Sequence, residues 1–488
     1  MNPLRKIDKN YRLSSWLFLR LLALIFFAAF ISLYGQLPGL VGENGILPLV
    51  ELQQQLLDRF GMGAWWRLPT LFWFESSDLA LQGAALAGAA LALLLLLGVW
   101  QRLSLLLMVL LYLSCYHAGQ TFMNFQWDTL LIETGLLAIF LVRGPSWLVL
   151  LLLHWLLFRL RFLSGLSKWL SGDPSWGGLT ALNYYFETQP LPHIGSWYAH
   201  QLPAWLLQGG TALVLFSELV VPFFIFLPRR FRIFAAILTI AIQVVIIATS
   251  NHNFVNLLTI LLALLLLDDR IVGRLLPRFL RQRLAPEREE PTATLSLPAF
   301  WIHTTLTVVI FSISLPAISH MVGLRTETPW LQAWQRLGSV TPLTAVGSAY
   351  HIFPTMQTER QELEIEGSID GVVWHPYRFR YKPGPVEIPP PFNVPHQPRL
   401  DWMIWFVPPQ HAEMRQWFDR FLYRLWQNEP AVTSLLAVNP FEGGEPPRYL
   451  RVHAWRYRFT TPEERQASGH WWQREYLGLF PQTPPRRP

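Results

Sequence analysis

The chain contains little cysteine and little charge. Its 488 residues include one cysteine, Cys115, and 15% are charged, whereas 52% are hydrophobic. A single cysteine excludes an internal disulfide, and this balance is not that of an ordinary soluble enzyme. The sequence also has no Asn-x-Ser/Thr site for N-glycosylation. These features fit a bacterial membrane protein better than a glycosylated protein of the secretory pathway.

Several catalytic motifs are missing as well. The sequence has no Gly-x-Ser-x-Gly, no Cys-x-x-Cys and no glycine-rich phosphate loop, and these motifs are typical of hydrolases, redox proteins and nucleotide-binding enzymes. The net charge of +7 does not indicate nucleic acid, because much of the excess lies beside hydrophobic runs, where basic residues set membrane orientation. We therefore expect neither a lipase nor a nucleic-acid-binding protein, and we predict no cofactor and no metal.

Long hydrophobic runs predict an α-helical membrane domain over residues 1–324. The run LALQGAALAGAALALLLLLGVW, Leu79–Trp100, has no charge and is long enough as a helix to cross a hydrocarbon core of about 30 Å. Spans 129–142 and 145–163 are less regular, because the first is short and carries Glu133 and the second contains two arginines. The amphipathic stretch 46–74 is predicted to lie along the membrane surface. Nine spans are predicted, over residues 14–34, 79–100, 103–118, 129–142, 145–163, 204–228, 231–249, 253–267 and 298–320.

The distribution of basic residues predicts the orientation of this domain. Basic residues favour the cytoplasmic side of a membrane, and the N-terminal flank MNPLRKIDKNYR is basic, so we place the N-terminus in the cytoplasm. After nine crossings the C-terminal region lies on the exported face, in the periplasm or in the lumen of the endoplasmic reticulum. The loops 35–78, 119–128, 164–203 and 250–253 lie on that face too. The predicted cytoplasmic basic groups are Arg5, Lys6, Lys9, Arg12, Arg102, Arg143, Arg229, Arg230, Arg232 and the segment 268–283.

Residues 325–488 are predicted to form a soluble, mostly β domain with a sandwich-like fold. ELEIEGSIDGVVWHPYRFRY, residues 362–381, alternates on both sides of Asp370-Gly371 and predicts a hairpin. Residues 448–461 predict a further strand, and 411–427 predict one flanking helix from the spacing of their apolar residues. The Pro-rich segment 382–398 predicts a stiff, extended connector.

Several long and unusual strings resemble the lipase maturation factor family. The resemblance rests on GQTFMNFQWDTLLIETG (119–135), TALNYYFETQPLPHIGSWYAHQLP (180–203), NHNFVNLLTI (251–260) and VPHQPRLDWMIWF (394–406), and it covers nearly the whole chain. The resemblance implies a membrane protein that helps secreted dimeric lipases to fold and assemble, working on the lumenal side. A bacterial member would face the periplasm.

A second, shorter resemblance concerns GLSKWLSGDPSWGGLTAL, residues 165–182. It is similar to a motif of the vitamin K-dependent carboxylase superfamily, and the resemblance implies that Lys168 matches a lysine of an active site within the membrane. As a base, Lys168 would need a poorly hydrated site that lowers the pKa of its side chain. Alternatively, its ammonium group stays charged in the lipid headgroup region.

Acidic residues inside the predicted spans are further candidates. Asp128 and Glu133 are five residues apart and so lie about 140° apart on a helix. A carboxylate within a span usually faces a cavity or a partner, so Glu133 and Glu218 are either site residues or halves of buried ion pairs. A catalytic group in the membrane would combine such acids with Lys168 and His193.

Polar residues in the exported loops form the remaining candidate surface. The loop FETQPLPHIGSWYAHQLP concentrates an acid, two histidines and four prolines, which predicts a rigid hydrogen-bonded loop rather than a metal site. We expect its Trp and Tyr to anchor at the membrane interface, the histidine of NHN to cap the next helix, and the Arg and Asp of PHQPRLDW to pair and hold the connector. The surface comprises Glu187, Gln189, Pro190, His193, Trp197, Tyr198, His200, Gln201, Asn251, His252, Asn253, His396, Arg399 and Asp401.

Three hypotheses about function follow. The first is a membrane-bound, non-enzymatic folding or assembly factor whose partners are membrane lipids and an exported client protein, possibly a lipase. The second is an intramembrane enzyme that acts on a lipid-like substrate with Lys168 as base. The third is a transporter, which the lack of internal repeats disfavours.

Overall fold

The computed structural model describes residues 7–142, 144–279, 294–323, 328–409 and 412–481. Several sequence predictions lie outside these residues. They concern Arg5, Lys6, Arg143, the basic segment after Phe279, the first residue of the predicted helix 411–427 and the domain boundary at 324/325.

The N-terminal part of the described chain is helical. Its helices are α1 Arg12–Tyr34, α2 Leu37–Val41, α3 Leu49–Phe60, α4 Ala64–Arg67, α5 Asp78–Leu97, α6 Gln101–Ala118, α7 Gln126–Ala138, α8 Trp147–Leu170, α9 Pro174–Gly177, α10 Ala181–Thr188, α11 Ile194–His200, α12 Ala204–Leu219, α13 Arg229–Thr249, α14 Val255–Leu264, α15 Asp269–Leu275 and α16 Leu297–Met321. The ends of α5 illustrate how sequence sets these bounds. Ser77 accepts the Ala80 N–H at the start, and Gly98 takes a left-handed φ of 85° at the end, as helix caps commonly do.

Seven helical segments in the described residues are long and apolar enough to cross a membrane, two fewer than the nine predicted spans. They are Lys9–Tyr34, Asp78–Leu97, Gln101–Ala118, Trp147–Leu170, Ala204–Phe226, Arg229–Thr249 and Leu297–Pro316. The predicted span 145–163 is one of them. The predicted spans 129–142 and 253–267 correspond instead to the shorter helices α7 and α14.

These two shorter helices nevertheless connect the two ends of the bundle. Asn251, just before α14, contacts Pro391 of the C-terminal part, whereas Leu267, just after it, accepts a hydrogen bond from Ser14 near the start of α1. Before α7, the Phe122 carbonyl accepts from Arg399, whose backbone N–H donates to Gln36 just after α1. After α7, Ser146 pairs with Ile7, which precedes α1. Both segments can be short because they are buried among other helices and need not match the bilayer thickness themselves.

Exposed tryptophans lie at both ends of the bundle. On α8, Trp147 and Trp169 are 22 residues apart, which corresponds to about 33 Å along a helix and matches the bilayer core. Such aromatic belts are typical of the two membrane–water interfaces. The exposed tryptophans are Trp100, Trp147 and Trp301 at the end of the N-terminus, and Trp66, Trp169 and Trp205 at the opposite end.

The C-terminal part combines one small sheet with several helices. Its elements are α17 Pro329–Leu337, α18 Thr341–Thr344, β1 Arg360–Ser368, β2 His375–Pro376, α19 Arg399–Ile404, α20 Ala412–Trp426, α21 Pro430–Thr433, β3 Tyr449–Phe459, α22 Pro462–Ser468 and β4 Trp472–Leu479. Within the described residues, these strands form one antiparallel sheet in the order β2-β1-β3-β4. The predicted β-rich domain is therefore confirmed. The described residues form a single small sheet with flanking helices, and not the predicted sandwich of two facing sheets.

The predicted turn at Asp370-Gly371 is present, and the partner of β1 is more distant than expected. Gly371 has a positive φ of 76°, and the Asp370 carboxylate accepts the N–H groups of Val372 and Val373. However, β2 has only two residues, and β1 pairs along its whole length with β3. The buried face of this pair carries Leu363, Ile365 and Val452.

Candidate functional site

A buried ion pair joins the C-terminal domain to the membrane domain. The guanidinium of Arg399, at the start of α19, donates to both oxygens of Asp128 in the first turn of α7, at 2.6 and 2.7 Å. The Tyr112 hydroxyl donates to the same carboxylate at 2.7 Å, and all three side chains are buried. A two-point Arg–carboxylate contact fixes orientation as well as distance, so this pair sets how α19 lies on the bundle.

The predicted pair between Arg399 and Asp401 does not form. Asp401 accepts the backbone N–H groups of Tyr381 and Lys382 at 2.7 and 3.0 Å. The prediction failed because residues two apart on a helix point in different directions. Asp401 does hold the Pro-rich connector, through the backbone of its first residues rather than through an arginine.

The C-terminal end of α1 holds the segment just before α19. The Ser32 hydroxyl lies 2.9 Å from His396 Nδ1 and accepts the Gln397 N–H at 3.0 Å. Gln36 accepts the Arg399 N–H at 2.7 Å. Burial and the nearby Arg399 and Arg380 guanidiniums lower the pKa of His396 to about 4, so this histidine is neutral at pH 7.

Arg360 on β1 holds the loop 186–203 by its backbone. Its guanidinium donates to the carbonyl oxygens of Glu187 and Pro190 at 2.9 Å, and also to that of Gln189. Glu362 balances the charge, since it accepts from Arg360 at 2.8 Å and from Lys382. The buried Arg360 thus keeps this proline-containing turn in place on the sheet.

The Pro-rich connector lies across two loops of the helical domain. The Asn251 side chain donates to the Pro391 carbonyl at 2.8 Å and accepts the Asn393 N–H at 3.0 Å. The Ile194 N–H donates to the Pro390 carbonyl at 3.1 Å. The connector has no helix or strand and covers the loop surface, but it is not extended throughout as predicted, because hydrogen-bonded turns close between Pro385 and Ile388 and between Asn393 and His396.

Trp197 and Tyr198 have different environments. Trp197 was expected at the membrane interface, but it is buried against the C-terminal domain, where its indole N–H donates to the Thr460 carbonyl at 2.9 Å. Arg465 stacks over the same ring, and Gln201 donates to the same carbonyl at 3.2 Å. Tyr198 is more than half exposed, so only this side chain of the pair is available to a partner.

The acid and the two histidines of this loop do not converge. Glu187 accepts the Phe459 N–H at 2.6 Å and lies 3.7 Å from His200. His193 caps α11 by accepting the Gly195 N–H and lies 3.2 Å from the Ile247 carbonyl. Burial lowers the pKa of both histidines and raises the pKa of Glu187. These groups organise the loop by hydrogen bonds.

The helix-capping role predicted for His252 is taken by Asn253. Asn253, at a φ of 46°, accepts the Val255 N–H at 2.8 Å and so caps the start of α14. His252 instead contacts the Tyr185 hydroxyl. Burial lowers the pKa of His252 to about 4, which keeps the imidazole neutral in its aromatic surroundings.

Lys168 is buried in a group of paired charges. Its ammonium lies 2.8 Å from Glu218 and also donates to the Ile352 carbonyl and to Ser164. Arg161 lies 3.3 Å from the other oxygen of Glu218. A catalytic base needs a free lone pair, whereas this ammonium has an acceptor for each of its protons.

Glu133 forms a separate buried pair with Arg159 of α8. The carboxylate also accepts the Gly347 N–H at 3.0 Å, and Arg159 donates to the Ser348 carbonyl at 3.0 Å. The structure therefore brings neither Glu133 nor His193 into a shared site with Lys168.

Two cavities lie on the side of the C-terminal domain. One, of about 550 Å³, lies between the sheet face that carries Glu364 and Trp455 and the connector around Pro389. The other, of about 430 Å³, is open and shared between the two domains, with Tyr198 on one side and Gln466 on the other.

Sequence analysis missed several residues that organise this face. Arg360 and Glu362 were treated as ordinary strand residues, and Tyr350 was not considered. A possible signal was that Arg159 and Arg161 interrupt an otherwise apolar span, because a charge at that depth requires a partner.

Comparisons with known proteins identify relatives along the whole chain. Residues 13–274 match the family described as the lipase maturation factor transmembrane domain, and residues 346–481 match the lipase maturation factor C-terminal domain. Lipase maturation factor 2 of Homo sapiens is 34% identical, over 96% of this chain and 82% of the relative. Lipase maturation factor 1 of Mus musculus is 32% identical, over 100% of this chain and 89% of the relative. No solved structure matches.

Proposed function

Because the chain belongs to the lipase maturation factor family, we propose that it is a membrane-bound maturation factor that holds exported client proteins, lipases among them, while they fold and assemble. The observation that carries this proposal is the joint between the two domains. Buried contacts from Arg399 and Arg360 connect the sheet to the exported loops, so that both present one continuous surface. A preorganised surface binds at a lower ordering cost than a flexible one.

The chemistry of this surface suits an incompletely folded client. Exposed apolar side chains are spread over the loops and the C-terminal domain, and exposed apolar patches commonly mark interaction sites. Tyrosine adds contact area at a low entropy cost because it has few rotatable bonds. The exposed residues are Tyr198, Val372, Val373, Ile388, Phe392 and Tyr476.

The distribution of charge supports an exported location for this surface. Arg229, Arg230 and Arg270 lie at the end of the bundle opposite the C-terminal domain, where Arg229 also pairs with Asp268. Because basic residues favour the cytoplasmic side, this distribution supports a cytoplasmic N-terminus and an exported C-terminal domain.

The intramembrane enzyme hypothesis gains no support from the arrangement around Lys168. Its ammonium is held by Glu218, Ser164 and the Ile352 carbonyl. An ammonium held by three acceptors supports a structural role for this lysine.

Co-expression with a secreted dimeric lipase tests the proposed function. The intact protein should co-purify with the lipase after crosslinking and should raise the activity of the secreted enzyme. Tyr198→Ala combined with Phe392→Ala should weaken both effects, whereas Leu275→Ala, on the opposite end of the protein, should leave them unchanged. Equal lipase activity with and without the protein would contradict the proposal.

A further inference from the structure

The segment 345–356, which we name the strap, lies inside the outer half of the helical bundle without regular secondary structure. It connects α18 to the sheet, and its residues Ala345, Val346, Ser348 and Tyr350 are buried. Irregular backbone at membrane depth is tolerated only where protein supplies its hydrogen bonds. The groups that hydrogen-bond to the strap backbone therefore indicate which kind of ligand the surrounding groove can bind.

At its deepest point the strap contacts the Glu133–Arg159 pair. The Gly347 N–H donates to Glu133 Oε2, and the Ser348 carbonyl accepts from Arg159, both at 3.0 Å. One carboxylate thus receives a backbone donor, and the adjacent guanidinium receives a backbone acceptor.

The same alternation continues toward the membrane surface. Gln126 Oε1 accepts the His351 N–H at 2.6 Å, and Lys168 donates to the Ile352 carbonyl at 2.8 Å. Asp173, just beyond α8, accepts the Met356 N–H at 2.7 Å. These contacts use main-chain atoms of the strap, so they do not depend on its sequence.

Two aromatic side chains add a sequence requirement. Tyr350 is fully buried, and its hydroxyl donates to Glu133 at 3.3 Å. Phe353, three residues later, makes edge contacts with the rings of Tyr185, His252 and Trp405. A segment that fits the groove therefore needs aromatic residues three positions apart.

We propose that this groove is a binding site for an extended polypeptide segment of the client, and that the strap occupies it until the client segment replaces it. The groove presents acceptors and donors in turn, which matches the N–H and C=O groups of a peptide backbone. A lipid acyl chain offers neither, and it would leave the hydrogen bonds that the buried Glu133, Arg159 and Lys168 make outside their ion pairs unsatisfied. This inference rests on the proposed function, because it assumes that the protein has a polypeptide client.

The backbone of the strap explains why it can be replaced. Ala345 and Phe353 have φ values of 57° and 50°, a left-handed conformation that residues with a side chain adopt only at an energetic cost. Both lie near the ends of the strap, where it is attached to α18 and to the segment before β1. A separate client segment has no such attachments and avoids this strain.

The test uses a fluorescent peptide with the strap sequence, AVGSAYHIFPTM, and the full-length protein in lipid nanodiscs. Tyr350→Ala removes the buried anchor of the strap and leaves the groove residues intact. The peptide should bind this variant at least about tenfold more tightly than the wild type, because a loosened strap competes less for the groove. A peptide with alanine in place of both aromatic residues should lose this preference. Equal binding of the two peptides, or no binding to either protein, would overturn the proposal.

A second measurement keeps the test decisive if the variant does not fold. A strap peptide with a photoreactive phenylalanine in place of its tyrosine should crosslink to α7 or α8 of the wild-type protein. Crosslinks confined to other segments would overturn the proposal. Lipase assays separate the two hypotheses. If the peptide binds but the protein has no effect on lipase maturation, the groove binds peptides and the proposed function is wrong. If the lipase co-purifies and excess peptide does not reduce this, the proposed function holds and the groove is not the client site.

Discussion

Asp128 and Glu133 lie on the same short helix but bind different kinds of structure. Asp128 receives the Arg399 side chain at the start of α19, whereas Glu133 receives the strap backbone at Gly347. Five residues turn a helix by about 140° beyond a full turn, so the two carboxylates face different neighbours. A side-chain contact is specific for one residue, whereas a main-chain contact accepts any segment of suitable shape. Helix α7 therefore fixes the C-terminal domain through Asp128 and holds the exchangeable strap through Glu133.

The largest effect is expected from Arg399→Ala. Removing one partner of a buried ion pair leaves an uncompensated charge and costs about 3–5 kcal/mol, so the C-terminal domain should separate from the bundle. Limited proteolysis and thermal unfolding in detergent measure this loss. The matched control is Arg420→Ala, whose partially exposed pair with Glu51 also joins the two parts of the chain; its expected cost is below about 1 kcal/mol. Equal effects of the two substitutions would remove the distinction between a fixed site and ordinary surface contacts.

Lowering the pH should weaken the contact between the C-terminal domain and the bundle around His396 and Arg399. The pKa of His396 is lowered from 6.5 to about 4 in the folded protein, so the unfolded state binds more protons between these values. Stability is therefore complete above pH 6.5 and falls as the pH decreases toward 4, by up to about 3 kcal/mol from this group. Unfolding midpoints between pH 7 and pH 4 measure the decrease.

His396→Asn is the control for this prediction. The Asn side chain can still hydrogen-bond to Ser32 but does not titrate, so the decrease in stability at low pH should become smaller. His252, whose pKa is also about 4, should account for part of the remainder. An unchanged pH dependence in the variant would show that His396 is not responsible.

Lys168→Met should have a smaller effect, at the site of the strap. The variant loses a charged hydrogen bond to Ile352 at a cost of about 2 kcal/mol, while Arg161 remains beside Glu218. Hydrogen exchange should show faster exchange of the strap amides, whereas α19 should stay protected. Lipase maturation per molecule of folded protein should decrease only in part, because the groove loses one of its several backbone contacts. Its complete loss in a folded variant would favour a catalytic lysine.

The smallest effect is expected from Trp197→Phe. This change replaces the buried indole by a smaller aromatic ring and removes the hydrogen bond to Thr460; the lost hydrogen bond costs about 1 kcal/mol. The control is Tyr198→Phe, which changes the neighbouring, exposed side chain and should leave the unfolding midpoint unchanged. If the two variants are equally stable, the contact of the loop with the C-terminal domain contributes less than the geometry indicates.

Sequence patterns predicted the local features of this fold well. Uninterrupted apolar runs identify long spans because bilayer thickness sets their length, and the resemblance of four strings to the lipase maturation factor family is confirmed by the matches over residues 13–274 and 346–481. The same criterion does not apply to the short helices α7 and α14, because burial within the bundle removes the requirement to match the bilayer thickness.

Long-range partners could not be predicted in the same way. Asp128 and Arg399 are 271 positions apart, and spacing along the chain carries no information about such a contact. Trp197 was assigned to the membrane because tryptophan favours interfaces, but a nearby protein domain offered a better hydrogen-bond acceptor. The Glu133–Arg159 pair was foreseen only as one of two alternatives for Glu133.

The loops and the C-terminal domain are proposed to share one exported surface. Labelling with a membrane-impermeant maleimide tests this location directly. Single cysteines replace Tyr198, Ala467 and Leu275 in a Cys115→Ser background and are labelled in intact bacterial spheroplasts. We predict that the cysteines at 198 and 467 react at once, and that the cysteine at 275 reacts only after the membrane is permeabilised. Labelling at 275 alone, or at only one of the two other positions, would contradict an exported surface shared by the loops and the C-terminal domain.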